Sequence, residues 1–243
     1  MTNELSIIVP CAGETDAILT CVDGLAAYLM VNPSDTDVIV VVANDTDERL
    51  DRILRDVRER YPWMQFTLLQ RVGAARRFGA LARFGIAFST SRYVAIVSPF
   101  GDDDLAVLPK MLAAARSGAQ VVQATRYATP RDAQGVPVRF RAYQSIYRAF
   151  VRFFLGHEVT DSTYGYKMFD RVFVQALGLT QNGYSICPEI TLKGILVGGR
   201  VAYVPTTVQD RPAASDFRLL RDGPAYAWVL ARGTAHRMGV PWF

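Results

Sequence analysis

The feature that most constrains the fold of this chain is a regular alternation of short apolar runs with longer segments of helical periodicity. Residues 5–10 (LSIIVP) and 37–42 (DVIVVV) are β-branched runs that end in polar or turn-forming residues, a pattern typical of buried parallel strands. Helices are predicted over residues 15–30 and 48–61, where apolar positions repeat at helical spacing. The order β-α-β-α predicts an α/β fold.

The same alternation continues further along the chain. The predicted elements are a strand at 65–69, a helix at 73–89, a strand at 93–97, a helix at 108–117 and a strand at 120–124. Such units build a mostly parallel, Rossmann-like sheet flanked by helices. Ligands bind these sheets beyond the carboxyl ends of the strands, so the functional site is expected in the loops that follow Val9, Val42, Val97 and Ala124.

The length of the chain favours a single large domain. Half of the 243 residues are apolar, which is enough to bury one extensive core. We expect one domain over residues 1–220 and a tail over residues 221–243 that packs on it, with the apolar segment 226–230 (YAWVL) as part of a final helix.

The basic residues of the chain are almost all arginines. Lysine and arginine together number 27 against 23 acidic residues, and only Lys110, Lys167 and Lys193 are lysines. Guanidinium groups bind phosphate oxygens in pairs, so this composition suits phosphate-bearing ligands, although a bias in codon usage would produce it as well. No basic run is dense enough to indicate nucleic-acid binding.

Cysteine usage and the N-terminus indicate a reduced, cytoplasmic protein. Cys11, Cys21 and Cys187 are odd in number and lack the spacing of a zinc or redox pair. The first residues lack the features of a signal peptide. No run of about 18 apolar residues occurs, so any membrane contact is expected to be peripheral, at the inner face.

Residues 139–155 (RFRAYQSIYRAFVRFFL) predict a strongly amphipathic helix. One narrow face carries Arg141, Ser145, Arg148 and Arg152, and the broad opposite face is rich in aromatic residues. Two interpretations stay open. The aromatic face packs on the sheet, or it lies in a membrane interface while the arginines meet lipid phosphates.

Five segments together carry a recognisable set of residues. The first strand leads into Pro10 and Glu14, and a glycine- and alanine-rich helix precedes the strand at 93–97. The third segment, residues 121–127 (VVQATRY), contains Arg126. The fourth segment carries Arg141, Ser145, Asp161, Gly165, Tyr166 and Lys167, and the last carries Glu189, Pro205, Arg211 and Ser215. Over nearly the first 220 residues, this set resembles the family 2 glycosyltransferases of the polyprenol-phosphate mannose or glucose synthase type, which have a GT-A fold.

The sequence departs from that family at two acidic motifs. The family's Asp-Asp-Gly-Ser aligns with residues 42–45, which leaves Asn44 and Asp45 as candidates for contacts with the nucleotide. The metal-binding Asp-x-Asp aligns with residues 98–100, where Ser98 is the polar residue. The next residues, GDDD, supply carboxylates that suit Mg²⁺ or Mn²⁺ at Asp102 and Asp104. Alternatively, they cap the following helix, which is the preferred interpretation for Asp103.

The resemblance implies an inverting glycosyltransferase that moves a sugar from a nucleoside diphosphate to a polyprenyl-phosphate acceptor. Alternatives are a related enzyme with a small-metabolite acceptor or an unusual donor, and an inactive scaffold. No organic cofactor and no nucleic-acid partner is expected, and the oligomeric state is left open. The resemblance implies catalytic roles for Asp161, Asp102 and Arg211, and donor or phosphate contacts for Pro10, Glu14, Asn44, Asp45, Ser98, Asp104, Arg126, Arg141, Lys167 and Ser215.

Overall fold

A computed structural model describes residues 3–13, 17–32, 35–43, 48–71, 77–129, 133, 136–207 and 218–242. Within these ranges seven strands form one sheet, in the order β3-β2-β1-β4-β6-β5-β7. The strands are β1 (Leu5–Cys11), β2 (Thr36–Ala43), β3 (Phe66–Arg71), β4 (Tyr93–Ile96), β5 (Val121–Thr125), β6 (Lys167–Asp170) and β7 (Val201–Pro205). Only the pairings made by β6 are antiparallel among these strands. The predicted α/β fold with a mostly parallel sheet is therefore confirmed.

Helices flank the sheet and connect its strands. They are α1 (Ile18–Val31), α2 (Glu48–Arg60), α3 (Phe78–Phe88), α4 (Leu108–Arg116), α5 (Val138–Leu155), α6 (Arg171–Ala176), α7 (Ile186–Leu196) and α8 (Leu219–Arg237), with a 3₁₀ turn at Leu105–Val107. The helices and strands predicted from the pattern up to residue 155 are found within a few residues of their expected bounds in the described ranges. Strand β6 was not predicted, because its four residues become a strand only by pairing between β4 and β5.

The core explains why the first strands read as continuous apolar runs. All residues of β1 are buried, since helices cover both faces of the sheet. A Cβ at Gly85 would lie 2.6 Å from Cγ2 of Ile8, so glycine is needed there for α3 to approach β1 closely. The three cysteines are buried as reduced thiols, as the sequence predicted.

The direction of β6 positions the site. Because β6 is antiparallel, its first residue, Lys167, pairs with Ile96 near the end of β4 and with Gln123 in β5. The segment before it, residues 161–166, is therefore delivered to the carboxyl edge of the sheet, where β4 and β5 end. Parallel sheets bind their ligands at this edge.

Helices α5 and α8 form a pair beside that edge. A small core joins them to α7 through Val151 and Leu155, Leu192, and Val229 and Leu230. The final helix thus packs on the rest of the chain, while the division at residue 220 stays a prediction. Tyr147 packs against this core, but Phe150 and Phe154 are 48% and 42% exposed. Of the two interpretations of the aromatic face, packing of the whole face on the sheet is not what the structure shows.

The described residues include no helix that is both long and apolar enough to span a bilayer.

Candidate active site

A cavity of about 1040 Å³ opens at the carboxyl edge of the sheet and runs between α5 and α8. Three of the predicted site residues line it: Ser98 just after β4, Asp102 in the following loop, and Arg126 just after β5. The other end is apolar and aromatic. Its walls include Phe140, Tyr143, Ile146, Tyr147, Phe150 and Phe154 from α5, and Leu219, Tyr226, Ala227, Leu230, Ala231 and Met238 from α8 and the turn after it.

Arg126 is the fixed cation of the polar end. Its Nε and Nη2 donate to the two carboxylate oxygens of Asp161 at 2.7 and 3.2 Å, and its guanidinium carbon lies 4.2 Å from the centroid of the Tyr164 ring. Burial opposes the charge, but Asp161 outweighs it and raises the pKa of Arg126. Nη1 has no hydrogen-bond partner among the described residues, so Arg126 retains a donor for a ligand.

Asp161 holds Arg126 in place and does not itself line the cavity. Its carboxylate is fully buried and also accepts hydrogen bonds from Gln144 Nε2 at 3.3 Å, Thr163 Oγ1 at 3.3 Å and the Tyr164 amide at 3.2 Å. A carboxylate with every oxygen engaged by protein donors orients its partners. The placement therefore supports a positioning role for Asp161, whereas the catalytic role predicted from the resemblance has no support in these contacts.

The three aspartates of the GDDD segment have three different environments. Asp104 caps the 3₁₀ turn, accepting from the amide of Ala106 at 3.0 Å, and does not line the cavity. Asp103 is buried, where it accepts from the Ser98 amide at 2.7 Å and from the Tyr164 hydroxyl. Burial, with a contribution from the charge of Asp102, raises the pKa of Asp103 to about 7. The cap predicted for Asp103 thus belongs to Asp104.

Asp102 is the carboxylate that remains for a ligand. It lines the cavity, and its Oδ1 is buried without a hydrogen-bond partner. No group of three or more His, Cys, Asp and Glu side chains in the described ranges is arranged to hold a metal ion. However, Mg²⁺ is commonly bound by one or two carboxylates together with substrate phosphates. Asp102 fits that arrangement, whereas the contacts of Asp104 do not support its predicted share in the site.

Lys167 lies away from the cavity, although the resemblance gave it a phosphate contact. It is fully buried, and its ammonium donates to the side chain of Gln123, to the Ser162 carbonyl at 3.2 Å and to Thr191 Oγ1 at 2.9 Å. Burial lowers the pKa of Lys167 to about 8. Lys167 therefore joins β5, β6 and α7 through buried hydrogen bonds, and these contacts are not those of a residue that binds phosphate.

Other predicted site residues are distributed as follows. Pro10 is buried within β1 and does not line the cavity. Arg141 is half-buried on α5, and its Nε has no hydrogen-bond partner among the described residues. Burial raises the pKa of Tyr127, and the charges of Arg126 and Arg141 oppose that rise. Arg141 thus lies near the polar end without lining the cavity. Glu14, Asn44, Asp45, Arg211 and Ser215 lie outside the described residues, and their roles stay predictions.

Two residues of the site were missed by the sequence analysis. Tyr164 stacks under Arg126 and bonds Asp103, so it joins the two charged groups of the polar end. Gln144 reaches from α5 to Asp161. A signal existed only for Tyr164, since it lies between Asp161 and Gly165 in the best-matched segment. Gln144 stands between the two faces of its helix, where neither charge nor periodicity marks it.

Comparison with known proteins agrees with this architecture. The family model of glycosyl transferase family 2 matches residues 6–178. A glucosyl-3-phosphoglycerate synthase of Mycobacterium tuberculosis is similar in structure, with a TM-score of 0.66, 15% identity, and coverage of 98% of this chain and 82% of that one. No protein of curated function matches the sequence.

Two further structures of that synthase contain ligands. One holds Mn²⁺, UDP and phosphoglyceric acid, with a TM-score of 0.61, 16% identity, and coverage of 98% of this chain and 80% of that one. Another holds Mn²⁺, UDP-glucose and glycerol 3-phosphate, with a TM-score of 0.62, 16% identity, and coverage of 98% and 81%. These structures are not of polyprenol-phosphate synthases, so the finer part of the resemblance is not confirmed. At the level of the family it is: this chain belongs to glycosyl transferase family 2 and is a glycosyltransferase with a GT-A fold.

Proposed function

We propose that this glycosyltransferase moves a sugar, with inversion, from a nucleoside diphosphate to the phosphate of a lipid acceptor. One observation carries the proposal: a single cavity joins the charged groups at the strand ends to a long apolar groove between α5 and α8. An acceptor that is both anionic and apolar would match both ends. A small polar acceptor would leave the aromatic wall without a ligand to cover.

The polar end suits the leaving diphosphate. Arg126 is locked by Asp161 and has one guanidinium nitrogen for a phosphate oxygen, and a fixed cation stabilises charge that develops as the donor bond breaks. Asp102 would share a Mg²⁺ or Mn²⁺ ion with the donor phosphates. When bound, such an ion neutralises charge on the departing diphosphate.

The reaction needs little acid–base chemistry from the protein. An oxygen of the acceptor phosphate, already ionised at neutral pH, attacks the anomeric carbon from the face opposite the leaving group. The bond between that carbon and the diphosphate oxygen breaks, and its electron pair leaves with the nucleoside diphosphate. No proton must be removed from the nucleophile, so positioning and charge neutralisation account for most of the acceleration.

A small phosphorylated acceptor is the second candidate. The observation that favours it comes from the structural neighbours, which hold phosphoglyceric acid or glycerol 3-phosphate together with UDP or UDP-glucose. A phosphate group is common to both candidates, so Arg126 would serve either one. The two candidate acceptors differ in whether they occupy the apolar groove. Because the structural neighbours hold UDP or UDP-glucose, UDP-sugars are the first donors to test.

The test compares two acceptors on the full chain and on a variant with a blocked groove. Ala231 lines the groove from α8, and Ala231→Trp would fill it. Ala113→Trp, on an exposed site of α4, is the matched control. With a UDP-sugar donor and Mn²⁺, we expect transfer to a polyprenyl phosphate, and about a tenfold loss of kcat/KM, about 1.4 kcal/mol, in Ala231→Trp only.

Three results would count against the proposal. Transfer to phosphoglycerate but not to polyprenyl phosphate would establish the small-acceptor candidate. If Ala231→Trp and Ala113→Trp transferred sugar to polyprenyl phosphate equally well, the groove would not be the binding site of the acceptor. Donor binding without turnover on any acceptor, measured over a panel of nucleoside diphosphate sugars, would favour the inactive scaffold.

A further inference from the structure

We propose that helices α5 and α8 form a docking surface for an anionic phospholipid membrane, with the mouth of the groove facing the lipid. The inference goes beyond the proposed function because it concerns how the enzyme is held at a surface, whichever acceptor it uses. We call this region the α5–α8 surface and define it by Ile146, Phe150, Phe153, Leu220, Trp228 and Met238.

Exposed apolar side chains are concentrated on α5 and α8. Phe153 is 79% exposed, Leu220 is 94% exposed and Trp228 is 59% exposed. Most of the large apolar residues that are exposed in the described part of the chain belong to α5, α8 or the turn that follows α8. Clusters of this kind mark contacts with proteins or membranes, since isolated exposed apolar residues are normal but contiguous ones are costly.

Several of these exposed residues surround the groove. Ile146, Phe150 and Met238 are exposed and also line the cavity. The apolar surface is therefore the rim of the groove, and the groove opens within it. Behind the rim, the walls carry no charged group apart from Arg139 at the start of α5, until Asp102, Asp103 and Arg126 at the polar end. A partner with an apolar interior therefore matches both the rim and the walls behind it.

Helices α5 and α8 are also strongly basic. Helix α5 carries Arg139, Arg141, Arg148 and Arg152 and no acidic residue, and α8 carries three more arginines with a single aspartate. The two helices thus hold more net positive charge than the whole chain, whose formal charge is +4. Two of these arginines lie beside aromatic rings of the region, Arg139 at 5.0 Å from Phe140 and Arg232 at 6.0 Å from Trp228, whereas Arg141, Arg148 and Arg152 lie on the other face of α5. Apolar side chains beside Arg139 and Arg232 suit the boundary between acyl chains and anionic headgroups.

Charge also argues against a second copy of the chain as the occupant. A symmetric dimer would place the α5–α8 surface against itself, bringing both sets of arginines together. Among the described residues, the acidic side chains Glu158 and Asp222 already pair within the chain, with Arg152 at 3.2 Å and with Arg221 at 3.0 Å. An anionic lipid surface supplies the opposite charge that a second copy lacks.

The experiment measures vesicle binding without donor or acceptor. The full chain is sedimented with phosphatidylcholine vesicles, with and without phosphatidylserine. The double variant Phe153→Ser and Leu220→Ser removes apolar side chains that do not line the cavity. Its matched control, Met30→Ser and Val172→Ser, removes side chains that are 68% and 65% exposed elsewhere. We expect binding that requires phosphatidylserine, weakens with salt, and falls at least about tenfold in the double variant only.

The outcomes are distinguishable from those of the proposed function. Absence of wild-type binding to either vesicle, or equal binding by both double variants, would overturn the docking surface. Loss of self-association in the Phe153 and Leu220 variant, seen in sedimentation velocity, would assign the surface to a second copy instead. Transfer to a detergent-solubilised polyprenyl phosphate would still test the acceptor independently, because neither substituted residue contacts the groove.

Discussion

The two ends of the cavity are built in opposite ways. At the polar end, Asp161 and Asp103 are buried and their oxygens are engaged by protein donors, and Arg126 is fixed against Tyr164. At the apolar end, Phe150 and Phe154 are exposed to nearly half of their surface, and shape alone defines the groove. The charged residues at the polar end are held by hydrogen bonds and an ion pair, whereas Phe150 and Phe154 at the other end pack ring against ring.

This difference follows from what each end must do. Charge that develops in a transition state is stabilised best by groups that do not need to reorganise, and a buried, hydrogen-bonded network supplies such groups. An apolar chain makes no directional contacts, so the groove that receives it needs only width and surface. Substitutions in the buried, hydrogen-bonded network of the polar end should therefore affect both stability and activity, and substitutions that line the groove should affect only binding.

The largest effect is expected at Asp161. Asp161→Asn removes the negative charge that neutralises Arg126, whose side chain is 18% exposed. Loss of one partner of a buried ion pair costs about 3 kcal/mol or more in the free energy of unfolding. We expect a similar fall in chemical denaturation, with a loss of kcat/KM of about 100-fold as the guanidinium loses its orientation.

The matched control for Asp161 is Glu158→Gln. Glu158 and Arg152 form an ion pair whose side chains are both more than 70% exposed, and such pairs contribute about 0.5 kcal/mol or less. If the two substitutions destabilised the protein equally, the fixed polar end would not be the structural unit described above.

Asp102 should separate activity from stability within the polar end. Its Oδ1 has no partner in the described part of the protein, so Asp102→Asn removes no hydrogen bond and should leave the free energy of unfolding within about 0.5 kcal/mol. If it shares a metal with the donor, kcat/KM should fall about 100-fold and stimulation by Mn²⁺ should disappear. Asp104→Asn is the control. If this variant lost Mn²⁺ stimulation to the same extent, both carboxylates would bind the metal.

Lys167 tests whether a buried charge serves the ligand or the fold. Its pKa is lowered by burial from 10.5 to about 8, so between these values the unfolded chain binds more protons than the folded one. Stability should then rise with pH from about 8, by at most about 1.4 kcal/mol per pH unit. Lys167→Gln should lack this rise in denaturation measured from pH 7 to 10. If the free energy of unfolding of the wild type did not change between pH 7 and 10, the lowered pKa of Lys167 would be contradicted.

The fold was predictable because its signals are local. The β-branched runs of β1 and β2 are buried on both faces, which is the environment that produces continuous apolar runs. Strand β6 escaped prediction because its residues become a strand only by pairing between β4 and β5. No local pattern encodes that insertion.

The site was predictable in part, and the differences share one cause. Arg126 was identified from the resemblance and Asp102 from the acidic segment that holds it, and both line the cavity. Lys167 and Asp161 carry the same charges in an equally suggestive motif, yet their side chains are fully buried. Sequence gives the charge of a side chain but not the direction in which it points, and direction separates a ligand contact from a support.

The smallest effect on stability is expected at the apolar end, and it completes the contrast. Phe153 is 79% exposed and does not line the cavity, so Phe153→Ser should change the free energy of unfolding by no more than about 0.5 kcal/mol. Val151 lies two residues earlier on the same helix and is fully buried. Val151→Ala removes buried methyl groups and should cost at least about 1 kcal/mol. If chemical denaturation gave Phe153→Ser the larger cost, the outer face of α5 would be part of the core, and it could not be free to meet a membrane.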